Sequence, residues 1–273
     1  MASFSDSPLE IIQEIIDNLQ DDLLALRACS QTCQSLLPLC RKYIFRTISF
    51  TPRSWSARHQ GLPRYITLFG TLLDSHSEIA DYVQNLVYQL ELPDFTDEDV
   101  PPVLEKFHRI QSFRFIGGDA DWRALYPTLR ESLSHIIHLR SVTRLEVSYL
   151  KNFPINTFIP CINLTDLTLS HTVTSVAVES NDYEHECLAS DVVPQLRSFT
   201  FDLLGGRYAE SLVDARRSKD VPVLDFSQLH TLSVNVDERS DLAAVHTIMG
   251  VTEKLETLYY SGMLPEPSFM SQD

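Results

Sequence analysis

Cysteine side chains offer the first candidate chemistry, because three of the chain's five cysteines lie close together near its start. Cys29, Cys33 and Cys40 are four and then seven residues apart, so they would share a face of one continuous helix. Structural zinc sites usually combine two closely spaced pairs of ligands, and here the second pair is missing. A redox Cys-x-x-Cys motif is also absent. We therefore expect these cysteines to pack in a core as small hydrophobic side chains.

Two histidine-containing groups are the other candidates for metal binding or catalysis. His135 and His138 are three residues apart, but we find no further ligand near them for a zinc site. In His185-Glu186-Cys187 the side chains of neighbouring residues point apart, whereas a catalytic triad converges from distant segments. The glycine-rich phosphate-binding motifs and the G-x-S-x-G nucleophile motif are missing from the sequence. We expect no metal, no cofactor and no catalytic site, and thus a protein that is not an enzyme.

The chain is strongly acidic, with a formal net charge of −15 over 273 residues. Such a charge repels nucleic-acid phosphates and anionic membrane surfaces, so we expect neither as a partner. No secretory signal peptide and no apolar run long enough to cross a bilayer are visible. These features predict an intracellular protein, cytoplasmic or nuclear, in which thiols stay reduced.

The first fifty residues show the pattern of short helices. Ser7-Pro8-Leu9-Glu10 has the form of a helix start, with a capping serine and a proline at the first helical position. Asp21 or Asp22 can cap a second, Leu-rich helix, and a third starts or bends near Pro38. The apolar content exceeds what so small a bundle readily buries. The surplus indicates a docking face, either for another protein or for the rest of the chain.

The remainder of the chain repeats the pattern apolar-x-x-apolar-x-apolar at intervals of 22 to 33 residues. The repeats begin at Val83, Ile110, Val142, Leu164, Leu196, Leu229 and Leu255. Strands joined by long crossovers must pair in parallel, and alternation such as Phe113-Arg114-Phe115 places one face in the core and one in water. The pattern predicts an α/β fold, a degenerate leucine-rich-repeat-like solenoid with parallel strands on the concave face and helices or loops on the convex face.

The connections between these strands are of two kinds. Helices are predicted within residues 64–83, 101–110, 121–139 and 239–250. Polar loops are predicted for the acidic segment 94–102 and for residues 173–194 and 204–222. The last of these contains a basic cluster that we expect to be solvated: Arg216, Arg217 and Lys219.

Over residues 7–50 the chain resembles a fungal F-box domain. The resemblance is carried by Pro-Leu-Glu-Ile-Ile from Pro8, by Ile-Ile-Asp-Asn-Leu ending at Leu19, and by "ACSQTCQSLLPLCRKYIFRTISF" from Ala28. It implies a three-helix docking module over residues 1–50 that binds the Skp-type adaptor of an SCF ubiquitin ligase, and through it a cullin scaffold. The family's adaptor contacts correspond here to Pro8, Leu9, Ile12, Ile15, Ile16, Leu19, Leu23, Leu24, Leu26 and Cys33.

Two hypotheses follow for the whole chain. In the first, it is the non-catalytic substrate-recognition subunit of such a ligase, and residues 51–273 form a degenerate leucine-rich-repeat-like domain that binds an unknown target protein. Candidate target contacts are the outward strand residues Arg114, Glu146, Ser148, Asp166, Thr168, Thr200, Asp202, Ser233, Asn235, Thr257 and Tyr259. In the second, the chain is a repeat scaffold whose F-box-like helices only cap the solenoid. Departures from the family pattern at Gln31, Thr32 and Leu36 favour the second.

Overall fold

The structure is a computed structural model that describes residues 8–51, 65–171, 192–202, 206–217, 220–236 and 239–262. In this part of the chain, three N-terminal helices precede an α/β region built on one eight-stranded parallel sheet. The predicted α/β class is therefore confirmed.

The elements alternate along the chain once the three helices have ended. The helices are α1 Leu9–Asn18, α2 Leu23–Thr32, α3 Leu37–Ile44, α4 Tyr65–Ser75, α5 Val100–Leu104, α6 Pro127–Ile137, α7 Gly206–Asp214 and α8 Arg239–Val251. The strands are β1 Thr47–Phe50, β2 Asn85–Gln89, β3 Ser112–Asp121, β4 Arg144–Lys151, β5 Asp166–Ser170, β6 Ser198–Asp202, β7 Thr231–Asn235 and β8 Thr257–Ser261. Short 3₁₀ helices lie at Ser77–Tyr82, Leu92–Phe95, Trp122–Ala124 and Ile155–Phe158.

The three N-terminal helices, which we call the helical module, have a core of their own. Its buried members are Ile12, Ile16, Leu26, Leu36 and Cys40. As predicted, an aspartate caps α2: the Asp22 carboxylate accepts the backbone N–H groups of Leu24 at 3.1 Å and Ala25 at 2.9 Å. Pro38 lies in the first turn of α3, where a proline costs no helical hydrogen bond. The capping serine expected for α1, Ser7, lies outside the described residues.

The strands pair in the order in which they occur in the chain, from β1 at one edge to β8 at the other. Every pair is parallel and the two edges do not meet, so the sheet is open. Seven strands coincide with the predicted repeats. The eighth, β1, lies within residues assigned from the sequence to the helical module, and it pairs with β2 instead of standing apart from the sheet.

A repeated pair of backbone hydrogen bonds fixes the strand register. The carbonyl of Gln84, just before β2, accepts the N–H groups of Gln111 at 2.7 Å and Ser112 at 3.0 Å. The same arrangement recurs at Arg46, Gln111, Thr143, Thr165, Arg197 and His230. Because every junction starts its strand at the same level, alternate residues line up in continuous rows across the sheet.

One face of the sheet, the core face, is covered by the connecting helices. Its rows include Phe113, Leu145, Leu167, Phe199 and Leu232, all buried. Helices α4 to α8 contribute buried apolar residues to the same cluster. The opposite face, which we call the open face, carries polar and partly exposed side chains. The alternation predicted from the sequence is observed throughout β2, β5, β6 and β7 and in the first part of β3 and β4, ending in β4 at Ser148, which is buried.

One loop prediction was wrong, and the prediction for the acidic segment 94–102 holds for residues 96–99 but not for its two ends. Residues 206–214 form α7, which buries Tyr208, Ala209, Leu212 and Val213 on one side. The polar residues that alternate with them dominate the composition and conceal this helical spacing. Within the acidic segment, Asp94 is fully buried: its carboxylate accepts the N–H of Glu91 at 2.7 Å and caps a 3₁₀ helix.

Candidate functional site

The helical module presents large apolar side chains to solvent. Their exposed fractions are 61% for Leu9, 49% for Ile11, 42% for Ile15, 46% for Leu23 and 78% for Leu24. Ile11 and Ile15 are four residues apart and so lie on the same side of α1. We refer to these five residues as the exposed apolar set. An apolar surface of this kind is typical of a protein–protein contact site.

The structure divides the sequence-predicted adaptor residues into two groups. Pro8, Leu9, Ile15, Leu23 and Leu24 are exposed, and Leu19 and Cys33 are partly buried. Ile12, Ile16 and Leu26 are buried inside the helical module. The predicted adaptor contacts Ile12 and Ile16, in the middle and second half of α1, therefore face the core that α1 shares with α2 and α3. Leu36, at a position where the sequence departs from the family pattern, is buried in the same core, whereas Gln31 and Thr32 are exposed.

The helical module meets the sheet region chiefly through α3 and the residues that follow it. Arg41 forms an ion pair with Glu78 at 3.1 Å, in the 3₁₀ helix before β2. Phe45 and Ile48 pack against the core of the sheet. On the other side of α3, the Tyr43 hydroxyl donates a hydrogen bond to the Asp17 carboxylate of α1. The helix α3 thus joins the two cores, and within the described residues the five members of the exposed apolar set stay exposed.

The three N-terminal cysteines lie in different environments. Cys40 is buried and Cys29 is partly buried against the core of the helical module. Burial raises the pKa of the Cys40 thiol, while hydrogen bonding to Ser35 lowers the pKa of the Cys33 thiol. The Cys33 Sγ and Ser35 Oγ atoms are 2.9 Å apart. Within the described residues, no group of three or more His, Cys, Asp or Glu side chains could hold a metal ion.

His135 lies in α6, and His138 directly follows that helix. The ring Nε2 of His138 lies 3.0 Å from the Thr157 carbonyl, and since a carbonyl only accepts, this nitrogen carries the proton. Burial lowers the pKa of His138. The rings of His135 and His108 are nearly perpendicular, with centroids 6.4 Å apart. The remaining candidate group, residues 185–187, lies outside the described residues.

The open face gathers the sequence-predicted target contacts onto one surface. Strand register places Arg114, Glu146, Thr168, Thr200, Ser233 and Tyr259 in one row. Ser148, Asp202 and Asn235 lie in the next row toward the strand ends, and Asp166 and Thr257 lie in the row at the strand starts. All are at least partly exposed apart from Ser148, which is buried.

The charges on this surface are partly neutralised within it. The Arg114 Nε atom lies 2.5 Å from a Glu146 carboxylate oxygen on the neighbouring strand. Cross-strand ion pairs of this kind contribute modestly when they are exposed to solvent. The open face therefore offers hydroxyl, amide and aromatic groups, with the Tyr259 ring as its largest exposed side chain.

Two residues that sequence reasoning missed lie at the carboxyl ends of β4 and β5. Tyr149 and His171 both have a φ of 52°, in the left-handed region that bulky residues rarely adopt. Their rings stack with centroids 4.4 Å apart and planes inclined by 15°. Tyr149 follows Ser148 and His171 follows Ser170, the last residues at which β4 and β5 are in register. Neither position has the glycine or asparagine that would have predicted a positive φ from the sequence. The pair adds an aromatic element to the rim of the open face.

Arg217, one of the three basic residues expected to be solvated, is bonded to the backbone of other segments. The Arg217 guanidinium donates to the carbonyls of Ile159 and Val192, each at 3.3 Å, and of Val223 at 3.2 Å. Arg217 therefore ties together segments that are distant in sequence, and this part of the prediction was wrong. Arg216 is exposed and donates to the Val213 carbonyl at 2.6 Å, while Lys219 lies outside the described residues.

No helix in the described part of the chain combines the length and apolar character needed to cross a bilayer. A scan against protein-family models, a search of curated proteins and a search of solved structures each gave no match.

Proposed function

We propose that this chain is the substrate-recognition subunit of an SCF-type ubiquitin ligase. The helical module would bind the Skp-type adaptor, which would connect it to a cullin scaffold in the cytoplasm or nucleus. The sheet region would bind a target protein, and other subunits would carry out ubiquitin transfer. The observation that carries the proposal is the exposed apolar set, whose members belong to neither hydrophobic core in the described part of the chain.

The energetics of the exposed apolar set support docking. Burying one large aliphatic side chain contributes about 1.5–3 kcal/mol, so five of them form a sizeable unsatisfied apolar surface. The buried residues Ile12, Ile16 and Leu26 then have a different role from the one that the resemblance implies. They hold α1 and α2 in position, while Leu9, Ile15, Leu23 and Leu24 are the members available for contact.

We further propose that the sheet region is a leucine-rich-repeat-like solenoid, with the open face on its concave side. Three features support this interpretation: the sequential order of parallel strands, the single solvent-facing side, and the backbone junction that recurs between strands. The open face would bind the target, with Arg114 and Tyr259 as the side chains most suited to dominate its affinity.

The alternative is that the helical module only caps the end of the solenoid. It is supported by the Arg41–Glu78 ion pair and by the packing of Phe45 and Ile48 on the sheet core. A cap, however, explains only the side of the helical module that faces the sheet. It leaves the exposed apolar set without a role.

Co-purification of the full-length chain with the adaptor tests the proposal. The informative variants are Ile11→Asp and Leu24→Asp, because both side chains are exposed and a charge there leaves the core of the helical module intact. Ile12→Asp is unsuitable, since it would place a charge in that core. The matched control is Leu92→Asp, at a leucine that is 87% exposed in the sheet region.

We expect the wild-type chain and Leu92→Asp to bind the adaptor at micromolar concentration, and each variant of the helical module to bind at least tenfold more weakly. Lack of wild-type binding at that concentration would refute the receptor function and favour the cap. Equal losses in all three variants would show that binding does not involve the exposed apolar set.

A further inference from the structure

A polar cavity of about 550 Å³ opens at the amino ends of β5 to β8. Its walls include Asp166, Gln195, Arg197, Gln228, His230 and Lys254. The volume falls within the range of roughly 300–1,000 Å³ that is usual for small-ligand sites. The cavity lies at the opposite end of the chain from the helical module, so the inference below does not depend on adaptor docking.

The cavity carries an excess of positive groups in a chain whose net charge is −15. Arg197 and Lys254 contribute two cations, against the single carboxylate of Asp166. Among the described residues, neither Arg197 nor Lys254 forms an ion pair, although acidic side chains are far more numerous than basic ones overall. Two cations without acidic partners beside one cavity are suited to bind an anion.

The basic groups are held in place by their neighbours. The amide oxygen of Gln228 accepts a hydrogen bond from the Lys254 ammonium at 2.6 Å. The backbone carbonyl of the same residue accepts one from Nδ1 of His230 at 2.7 Å, so Nε2 of the neutral ring can accept a hydrogen bond from an N–H or O–H group of a ligand. One residue thus orients both groups before a ligand arrives, which lowers the entropic cost of binding.

The backbone beneath the cavity is also fixed. Arg197 directly precedes β6, and its carbonyl accepts the N–H groups of His230 at 2.9 Å and Thr231 at 3.0 Å. The turn before it is tied to Asp225, whose carbonyl accepts the N–H of Leu196 at 3.0 Å. The backbone at the starts of these strands is therefore held by hydrogen bonds between neighbouring repeats. The three side chains, Arg197, His230 and Lys254, come from the repeats of β6, β7 and β8.

We propose that this cavity binds a phosphomonoester. A guanidinium offers a planar fork that matches two phosphate oxygens, and an ammonium adds a point charge for a group with nearly two negative charges. The carboxylate of Asp166, at the β5 side of the cavity, accepts hydrogen bonds and suits a ligand that also carries an N–H or O–H donor. A phosphorylated serine or threonine has this chemistry, either as a free small molecule or within a peptide.

Fluorescence anisotropy of the full chain with a labelled phosphoserine peptide flanked by glycines tests the site. We expect saturable binding, with the unphosphorylated peptide at least tenfold weaker. Arg197→Gln and Lys254→Gln should each weaken binding at least tenfold. The matched control is Arg123→Gln, which removes the same charge from an exposed position beyond the carboxyl end of β3 and should change binding less than twofold.

Competition at constant ionic strength distinguishes the two sources of the phosphate. Free O-phosphoserine competing as tightly as the peptide would assign the site to a small molecule, and weaker competition would assign it to a phosphorylated protein. Absence of saturable binding, or equal binding by wild type and Lys254→Gln, would overturn the proposal. Lys254 is an exposed residue, so Lys254→Gln should fold normally. Its binding therefore tests the proposed site even if Arg197→Gln fails to fold.

Discussion

The described cysteines should differ in reactivity. The thiolate is the reactive form of the side chain, and the surroundings of Cys33, Cys40 and Cys161 shift their pKa values differently. Hydrogen bonding to Ser35 lowers the pKa of Cys33, whereas burial raises the pKa of Cys40 and brings that of Cys161 to about 12. The Cys161 thiol also lies 3.4 Å from the Thr157 carbonyl. We expect iodoacetamide to alkylate Cys33 first in the native protein, with Cys40 and Cys161 protected until unfolding.

Peptide mapping by mass spectrometry measures each cysteine separately, including Cys187, which lies outside the described residues. The control is the same labelling in denaturant, where all five cysteines should react at similar rates. Native alkylation of Cys161 as fast as that of Cys33 would contradict the burial of Cys161 in the connection between β4 and β5.

His138 makes stability depend on pH in a direction set by its buried ring. Desolvation lowers its pKa, with a further lowering from His135 opposed by the hydrogen bond to Thr157. Below about pH 6.5 the unfolded state binds a proton that the folded state resists, so stability is present above that pH and is lost as pH falls. We expect urea unfolding to show this loss between about pH 7 and 5. His138→Gln, which retains a donor for Thr157, should show a smaller dependence on pH, and an unchanged dependence would contradict the assignment.

Tyr208 is a fully buried phenol in α7, and its hydroxyl has no hydrogen-bond partner within the described residues. Burial alone raises its pKa well above the ordinary value. Removing an unsatisfied buried hydroxyl relieves a desolvation cost, so Tyr208→Phe should stabilise the protein by about 1 kcal/mol. The control is Tyr126→Phe, which deletes a 2.6 Å bond to the Asp97 carbonyl and should destabilise by a similar amount. Chemical denaturation measures both, and a destabilised Tyr208→Phe would refute the assignment.

At the scale of elements, the strands were predictable because apolar and polar residues alternate along them. This alternation indicates which side chains are buried and which face solvent. Each interior strand needs one apolar side and one polar side, and Phe199-Thr200-Phe201 carries that requirement in its own sequence. Helix α1 was not predictable in the same way, since it has apolar residues on several sides. Only packing against α2 and α3 decides that Ile12 and Ile16 are buried while Ile11 and Ile15 are exposed.

The candidate sites were predictable to a similar extent. The row of open-face residues follows from strand register, which the repeats indicate. The cavity beside Arg197 and Lys254 depends on how three repeats meet, and the ring stack of Tyr149 and His171 depends on backbone angles. These properties arise between segments and have no counterpart in any one stretch of sequence.

The contact between α7 and α8 requires a glycine at the start of α7. A Cβ atom at Gly206 would lie 2.3 Å from a carboxylate oxygen of Asp241 and 2.7 Å from its Cα atom. Because backbone is involved, Gly206→Ala should push the helices apart and destabilise the protein by about 1–3 kcal/mol. The control is Gly250→Ala in α8, where a Cβ atom meets nothing within 4 Å. That change should be neutral or stabilising by up to about 1 kcal/mol, and equal effects of the two substitutions in thermal unfolding would contradict this account.

Across the whole molecule, core burial decreases toward the end of the sheet. Leu232 in β7 and Leu258 in β8 are register partners on the core face, yet Leu232 is fully buried and Leu258 is 44% exposed. Leu258 belongs to the edge strand, where no further strand follows in the described part of the chain. The same substitution should therefore have different consequences in the two strands.

We expect Leu232→Ala to destabilise by about 2–5 kcal/mol, because it leaves a cavity in a packed row. Leu258→Ala should cost less than about 1 kcal/mol, because its side chain already contacts water. Urea unfolding measures both, and hydrogen exchange should show β8 opening more readily than β3 to β6. A large loss for Leu258→Ala would show that another surface covers the end of the sheet in solution. The core would then extend beyond β8, and the exposed Tyr259 and Tyr260 beside it would belong to a contact instead of to a free edge.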